Sequence, residues 1–138
     1  MPLVLDTSVL LAGLDAADPD HRACASLIER ADEDLVVPVL VLAELEYWCS
    51  KRLPADSWTV FGDDLLEGAY RLEDLKRSDL ARALEVQRAY ADMPIGVVDA
   101  SVLALVERLG ETKLATLDQR HFGALRPSHT PALELLPG

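Results

Sequence analysis

The chain is short of cysteines, aromatic residues and positive charge. Its 138 residues include two cysteines and 5% aromatic residues, and 13 Lys and Arg stand against 24 Asp and Glu, which gives a formal net charge of -11. This balance argues against broad, sequence-independent adhesion to phosphate backbones, because such adhesion needs clustered cations. Any contact with nucleic acid is therefore expected to be local.

Long hydrophobic runs and secretory features are also missing. The longest apolar run covers residues 35–43, far below the roughly 18 residues of a membrane-spanning helix. Residues 1–6 lack the cationic stretch that opens a signal peptide. Cys24 and Cys49 each lie in a segment with helical apolar spacing, which favours buried, reduced thiols over a disulfide. These absences predict a cytoplasmic protein without a membrane segment.

What the chain does have is a regular alternation of short aliphatic segments with longer segments of helical spacing. Half of the residues are hydrophobic, so we expect one domain over residues 1–138 with a sizeable core. Strands are predicted at residues 3–5, 35–38, 70–72, 113–117 and 132–136, and helices at 21–31, 40–53, 58–66, 78–91 and 99–109. This alternation indicates an α/β fold with a parallel sheet.

Four acidic residues lie where an apolar segment ends or is interrupted. Asp6 follows the first predicted strand, Asp118 follows the strand at 113–117, Asp99 follows two valines, and Glu44 lies within the helix at 40–53. In an α/β domain these are positions around the carboxyl ends of strands, where ligand crevices form. The pattern predicts one shared acidic site.

Taken singly, three of these acids have ordinary structural explanations. Asp6 and Asp99 are suited to helix N-caps or first-turn anions, and Asp118 to a turn. Glu44 is harder to explain, since it shares a helical stripe with Leu45 and other apolar residues, where an unpartnered carboxylate is costly. A bound cation would remove that cost.

Clustered carboxylates repel one another, and hard divalent cations such as Mg²⁺ or Mn²⁺ bind oxygen ligands and neutralise the repulsion. Structural zinc is disfavoured because the three histidines are not spaced with the cysteines as zinc ligands are. A cation held by carboxylates can activate a water and offset charge that develops on a phosphodiester. The expected chemistry is therefore phosphodiester hydrolysis.

Other polar or aromatic residues are given structural interpretations. His121 could act as a general base, but a structural or surface role is favoured because a metal-activated water needs no imidazole. Asp92 is interpreted as a solvated turn acid, and Arg120 as a contact for phosphate or for a neighbouring acid. Trp48 and Trp58 have helical spacing with aliphatic residues and are expected in the core rather than as base-stacking platforms.

The segments around the acids together resemble PIN-domain ribonucleases, and in particular the bacterial VapC-type toxins. These segments are DTSVL at 6–10, VLAEL at 41–45, VDAS at 98–101 and TLD at 116–118, with Arg120 and Phe122 beyond. The resemblance covers nearly the whole chain. It implies a PIN-like three-layer α/β/α fold with a central, mainly parallel sheet.

The same resemblance implies an activity and its residues. The implied activity is that of an Mg²⁺- or Mn²⁺-dependent endoribonuclease that acts on RNA. The protein would be a toxin neutralised by a VapB-type antitoxin, whose tail would enter the acidic groove. Ser8 and Thr116 would support the carboxylates or a metal-bound water, although local turn or cap bonds explain them equally well. A homodimer is implied, with a monomer as the alternative. The catalytic and metal-binding acids would be Asp6, Glu44, Asp99 and Asp118.

Other functions remain open. A PIN nuclease of RNA processing would share the site. A receiver-like phosphoacceptor domain would also bind Mg²⁺, but Asp6 has no adjacent acid, and Lys113 precedes its strand instead of ending it. A phosphatase of the Asp-x-Asp type would need an acid where Ser8 stands. An interaction domain without turnover is disfavoured because all four acids are present.

Overall fold

A sheet of five parallel strands forms the centre of the computed structural model, which describes all residues Met1–Gly138. The order across the sheet is β3-β2-β1-β4-β5, and every neighbouring pair is parallel. The strands are β1 (Pro2–Leu5), β2 (Asp34–Pro38), β3 (Arg71–Glu73), β4 (Lys113–Ala115) and β5 (Glu134–Leu136).

Helices cover both faces of this sheet. In the central strand β1, Leu3, Val4 and Leu5 point alternately to opposite faces, and all three are buried. The seven helices are α1 (Thr7–Leu14), α2 (His21–Arg30), α3 (Val39–Arg52), α4 (Ser57–Leu66), α5 (Arg77–Ala89), α6 (Val97–Leu109) and α7 (Gln119–Ala124). The predicted three-layer α/β/α fold with a parallel sheet is confirmed.

One cluster of 26 buried residues forms the core, and α6 lies at its centre. Seven consecutive residues of α6, from Ala100 to Val106, are buried, as in a helix that is packed on all sides. The helix ends at Gly110, whose φ of 69° is the left-handed conformation that glycine adopts at helix C-termini. This packing fixes the position of Asp99 in the first turn of α6.

Two helices were not predicted from the sequence. α1 begins directly after β1, and α7 has only six residues, too few to show a helical period. The strand predicted at 70–72 begins one residue later, and the strand predicted at 113–117 ends at Ala115. In addition, α5 ends two residues before the predicted boundary at residue 91.

Trp48 was placed in the core, and this prediction is wrong. The buried stripe of α3 consists of Val41, Leu45 and Cys49, four residues apart, so Trp48 lies beside the stripe and is 42% exposed. Its ring packs edge-on against Tyr47. Trp58, by contrast, is partly buried and packs against the core.

The two cysteines are free and buried, as predicted. Desolvation, followed by the negative charges of nearby aspartates, raises the pKa of Cys24 to about 11. Desolvation also raises the pKa of Cys49. Both side chains are therefore protonated thiols packed in the interior.

None of the helices is long and apolar enough to cross a bilayer.

Candidate active site

The four acids of the sequence pattern lie around one edge of the sheet. Asp6 follows β1 and Asp118 closely follows β4, and these strands are adjacent and parallel, so their carboxyl ends meet. Asp99 lies in the first turn of α6, and Glu44 lies in α3, which follows β2. This placement agrees with the expectation that the four acids meet around the carboxyl ends of the strands.

Asp6 is both the N-cap of α1 and the most deeply buried of the four acids. Only 4% of it is exposed. Its Oδ1 accepts hydrogen bonds from the Ser8 amide (2.9 Å), the Val9 amide (3.4 Å) and the Ser8 hydroxyl (2.5 Å), and its Oδ2 accepts one from the Thr116 hydroxyl (2.5 Å). Desolvation raises the pKa of Asp6, although these hydrogen bonds oppose the rise.

Ser8 and Thr116 connect the ends of the two central strands. The Ser8 hydroxyl donates to Asp6 and accepts a hydrogen bond from the Leu117 amide (2.9 Å). The Thr116 hydroxyl likewise donates to Asp6 and accepts from the Asp118 amide (3.0 Å). Each hydroxyl therefore holds the first acid and the backbone next to the last acid at the same time.

The acidity of Asp99 is also perturbed. Desolvation and then the negative charges of Asp6, Asp118 and Glu44 raise its pKa from 3.8 to about 6, and His121 opposes the rise. Since all three other acids act on Asp99, the structure brings the four carboxylates into one electrostatic environment. At neutral pH this environment carries excess negative charge.

Glu44 is half-buried rather than placed on the fully buried stripe of α3. Its Oε1 accepts a hydrogen bond from the Thr7 hydroxyl (2.5 Å). Thr7 is a residue that the sequence analysis did not assign to the site, although its position next to Asp6 at the start of α1 was a usable signal. The hydroxyl at position 7 thus orients the carboxylate that α3 supplies.

His121 lies closer to the acids than its structural interpretation suggested. Its Nδ1 is 2.8 Å from Asp118 Oδ2 and 3.9 Å from Asp99 Oδ2. The spacing Asp118 to His121, three residues within a helical turn, would have indicated this contact. Asp92 and Arg120 are both exposed, and Arg120 forms no ion pair with the four acids.

The donor set suits a divalent cation. Ligand atoms of Asp99, Asp118 and His121 all lie within 4.8 Å of one another, and Asp6 and Glu44 contribute further negative charge. Carboxylate oxygens are the ligands that Mg²⁺ and Mn²⁺ prefer. A cation here would also remove the repulsion that raises the pKa of Asp99.

Comparisons with known proteins agree with this architecture. Residues 3–126 match the model of the PIN domain. The chain is 38% identical over 125 residues to Ribonuclease VapC26 from Mycobacterium tuberculosis, and the match covers 91% of this chain and 93% of that protein.

The fold is also similar to solved structures. It matches Mycobacterium tuberculosis VapC20, described as a toxin that cleaves the sarcin-ricin loop, with a TM-score of 0.81 and 18% identity over 96% of this chain and 99% of that one. It matches VapBC2 from Rickettsia felis, bound to a promoter DNA fragment, with a TM-score of 0.71 and 17% identity over 98% of each chain. These structural matches show a shared fold, and the matches to the PIN domain model and to Ribonuclease VapC26 show that the chain belongs to the PIN domain family.

Proposed function

We propose that this chain is a divalent-cation-dependent endoribonuclease. The observation that carries the proposal is the convergence of four carboxylates at the carboxyl edge of the sheet, where none of them forms an ion pair with Lys or Arg. Membership of the PIN domain family and the similarity to Ribonuclease VapC26 support the same activity. The cation would be Mg²⁺ or Mn²⁺, and the residues that would hold it are Asp6, Glu44, Asp99 and Asp118.

The chain's own residues supply the orientation that such a site needs. Ser8 and Thr116 donate to the two oxygens of Asp6, and Thr7 donates to Glu44, so the fold itself orients these two carboxylates. A divalent cation held by these carboxylates would lower the pKa of a water and offset negative charge on the phosphodiester. Preorganised carboxylates make this possible without rearrangement during the reaction.

The phosphoacceptor alternative lacks a necessary group. Lys113 lies at the start of β4, at the opposite end of the strand from Asp118, and its Nζ approaches Glu33 at 3.9 Å. A receiver-like site needs a cation beside its acids to hold the phosphoryl group. The acidic site described here has none from Lys or Arg, which favours metal-dependent hydrolysis.

The proposed biological role rests on the similarity to the VapC relatives. We infer one nuclease domain over residues 1–138 that acts in the cytoplasm as a VapC-type toxin, forms a homodimer and is neutralised by a VapB-type antitoxin. The net charge of -11 and the cluster of acids suit a partner with a basic segment. Growth arrest on production of the chain, relieved by co-production of a small basic-tailed partner, would support this role.

Cleavage of structured RNA tests the enzymatic proposal. The purified chain should cut RNA in Mg²⁺ or Mn²⁺ and stop in EDTA. Asp6→Asn, Glu44→Gln and Asp99→Asn should each lower the rate by about 100-fold or more, since even outer-sphere changes at metal sites cost about 10- to 100-fold. Asp92→Asn, at an exposed acid outside the cluster, is the matched control and should retain the parent rate. Undiminished cleavage in EDTA, or by the three site variants, would refute the proposal.

A further inference from the structure

His121 is the one ionisable side chain at the acidic site that the four-acid pattern leaves without a role. Its backbone amide donates to Asp118 Oδ1 (3.0 Å) and its Nδ1 lies 2.8 Å from Asp118 Oδ2. Both oxygens of Asp118 are therefore engaged by the same residue. The same Nδ1 lies 3.9 Å from Asp99 Oδ2, so it faces two carboxylates from different elements.

The hydrogen bond assigns the tautomer of this imidazole. An ionised carboxylate only accepts hydrogen bonds, so Nδ1 carries the proton that points to Asp118. Asp118 is the N-cap of α7 and His121 lies three residues later, so the helical turn places both on the same side of the helix. This places the ring near Asp118, and the two separations from Nδ1 show that this nitrogen faces both Asp118 and Asp99.

The spacing of the three groups matches ligands of a single cation. Ligands of a small divalent ion lie at about 2.1 Å, so two of them are about 3 Å apart when adjacent and about 4 Å apart when opposite. The separations from Nδ1, 2.8 Å to Asp118 and 3.9 Å to Asp99, fall close to these limits. All three ligand atoms lie within 4.8 Å of one another.

We propose that His121 is a nitrogen ligand of this site and gives it a preference for a first-row transition cation over Mg²⁺. The inference rests on the proposed metal-dependent function. Imidazole nitrogen suits transition cations, whereas Mg²⁺ favours oxygen ligands and retains its waters. A neutral ring that shifts its proton from Nδ1 to Nε2 offers the Nδ1 lone pair without a change in net charge.

A purely positioning role for His121 would use only the hydrogen bond to Asp118. His121→Asn separates the two roles, because the amide N–H of asparagine can replace the Nδ1–H donor but brings no ring nitrogen. His121→Phe removes both. His129→Gln is the matched control, since the Nε2 of His129 bonds the Glu111 carbonyl and the glutamine amide can replace it.

Calorimetric titration of the metal-stripped full chain with MnCl2, CoCl2 or MgCl2 alone tests the preference. The parent and His129→Gln should bind Mn²⁺ and Co²⁺ more tightly than Mg²⁺. His121→Asn should lose on the order of tenfold in Mn²⁺ affinity, with a much smaller change for Mg²⁺. Pulsed electron paramagnetic resonance of the Mn²⁺ complex should show nitrogen coupling in the parent and in His129→Gln, but none in His121→Asn.

An unchanged ratio of Mn²⁺ to Mg²⁺ affinity in His121→Asn, a parent without nitrogen coupling, or a parent that binds neither cation would overturn the proposal. RNA cleavage measured on the same preparations separates this failure from failure of the proposed function. If cleavage remains sensitive to EDTA while nitrogen coupling is absent, only the role of His121 fails. Cleavage that persists in EDTA refutes the metal-dependent function itself.

Discussion

Asp6 and Asp79 are almost equally buried, at 4% and 3% exposed, yet their surroundings differ in charge. Asp79, on α5, receives three hydrogen bonds from the Arg108 guanidinium, the shortest from Nε to Oδ1 at 3.0 Å and from a terminal nitrogen to Oδ2 at 3.1 Å, and one from the Lys76 amide. Asp6 receives hydrogen bonds only from hydroxyls and amides of neutral residues. One buried charge is neutralised by the protein, and the other is not.

The same contrast extends to the regions around these residues. Between α5 and α6, Arg82 also pairs with Glu107 at 2.8 Å, so acids and cations occur together. At the carboxyl edge of the sheet, the only ionisable partner of the acids is the His121 imidazole. The first arrangement stabilises helix packing. The second retains a charge imbalance of the kind that marks functional sites.

The largest change in stability is expected when the positive charge of Arg108 between α5 and α6 is removed. Arg108→Met keeps much of the side-chain volume but leaves Asp79 buried without a countercharge, and we expect a loss of about 3 to 5 kcal/mol in the free energy of unfolding. Urea denaturation measures this loss. Arg22→Met, at an exposed arginine on α2, is the control. A loss for Arg108→Met no larger than that of the control would mean that the ion pair is not structural.

A smaller effect is expected where neutral groups hold the charge of Asp6. Thr116→Val removes the hydroxyl that donates to Asp6 and accepts from the Asp118 amide, so both groups lose a partner in a buried position. We expect a loss of about 1 to 3 kcal/mol in unfolding free energy, together with slower RNA cleavage. Thr116→Ser retains the hydroxyl and should be closer to the parent in both respects. Equal behaviour of the two variants would contradict this role.

The smallest expected change in the free energy of unfolding is a gain, not a loss. In the folded chain the pKa of Asp99 is raised to about 6 from 3.8. The fold therefore gains stability when Asp99 is protonated, and this gain is complete below pH 3.8. The gain is lost as the pH rises through about 6. Asp99→Asn cannot ionise. In EDTA at pH 7.5 it should be more stable than the parent by about 1 to 2 kcal/mol, allowing for solvent screening.

Urea denaturation across pH 4 to 8 checks this expectation. The advantage of Asp99→Asn should shrink as the pH falls, because Asp99 in the parent then becomes protonated and also loses its charge. A stability difference that does not change with pH would show that repulsion at the site is not its cause.

Local patterns in the sequence identified the acids, whereas Ser8 and Thr116 were assigned as their supports only through the resemblance to PIN-domain ribonucleases, and Thr7 was not assigned. Asp6, Asp99 and Asp118 were recognisable because each interrupts an apolar pattern near a strand end. Long-range partners leave no such local signal: Arg108 lies 29 residues from Asp79, and Thr116 lies 110 residues from Asp6. Their pairing depends on strand order and helix packing, which periodicity does not determine.

Local structure also limited the prediction. α1 was missed although Asp6 is a good cap, because its buried residues, Val9 to Ala12, form an uninterrupted apolar run that shows no helical period. Trp48 was misplaced because its spacing from Val41 and Leu45 fits a helical face only approximately, and a small angular error at the edge of a stripe decides exposure. The parallel sheet itself was predictable, since alternating short strands and long helices allow few other arrangements.

The most direct test of the central claim is the order of stability of the parent and Asp99→Asn with and without a cation. The claim is that the acidic cluster is destabilising by itself and is stabilised by a bound divalent ion. Thermal unfolding at pH 7.5 should show Asp99→Asn above the parent in EDTA and the parent above Asp99→Asn in saturating Mn²⁺, because the ion binds the folded parent more tightly. The same order in both conditions would contradict the account.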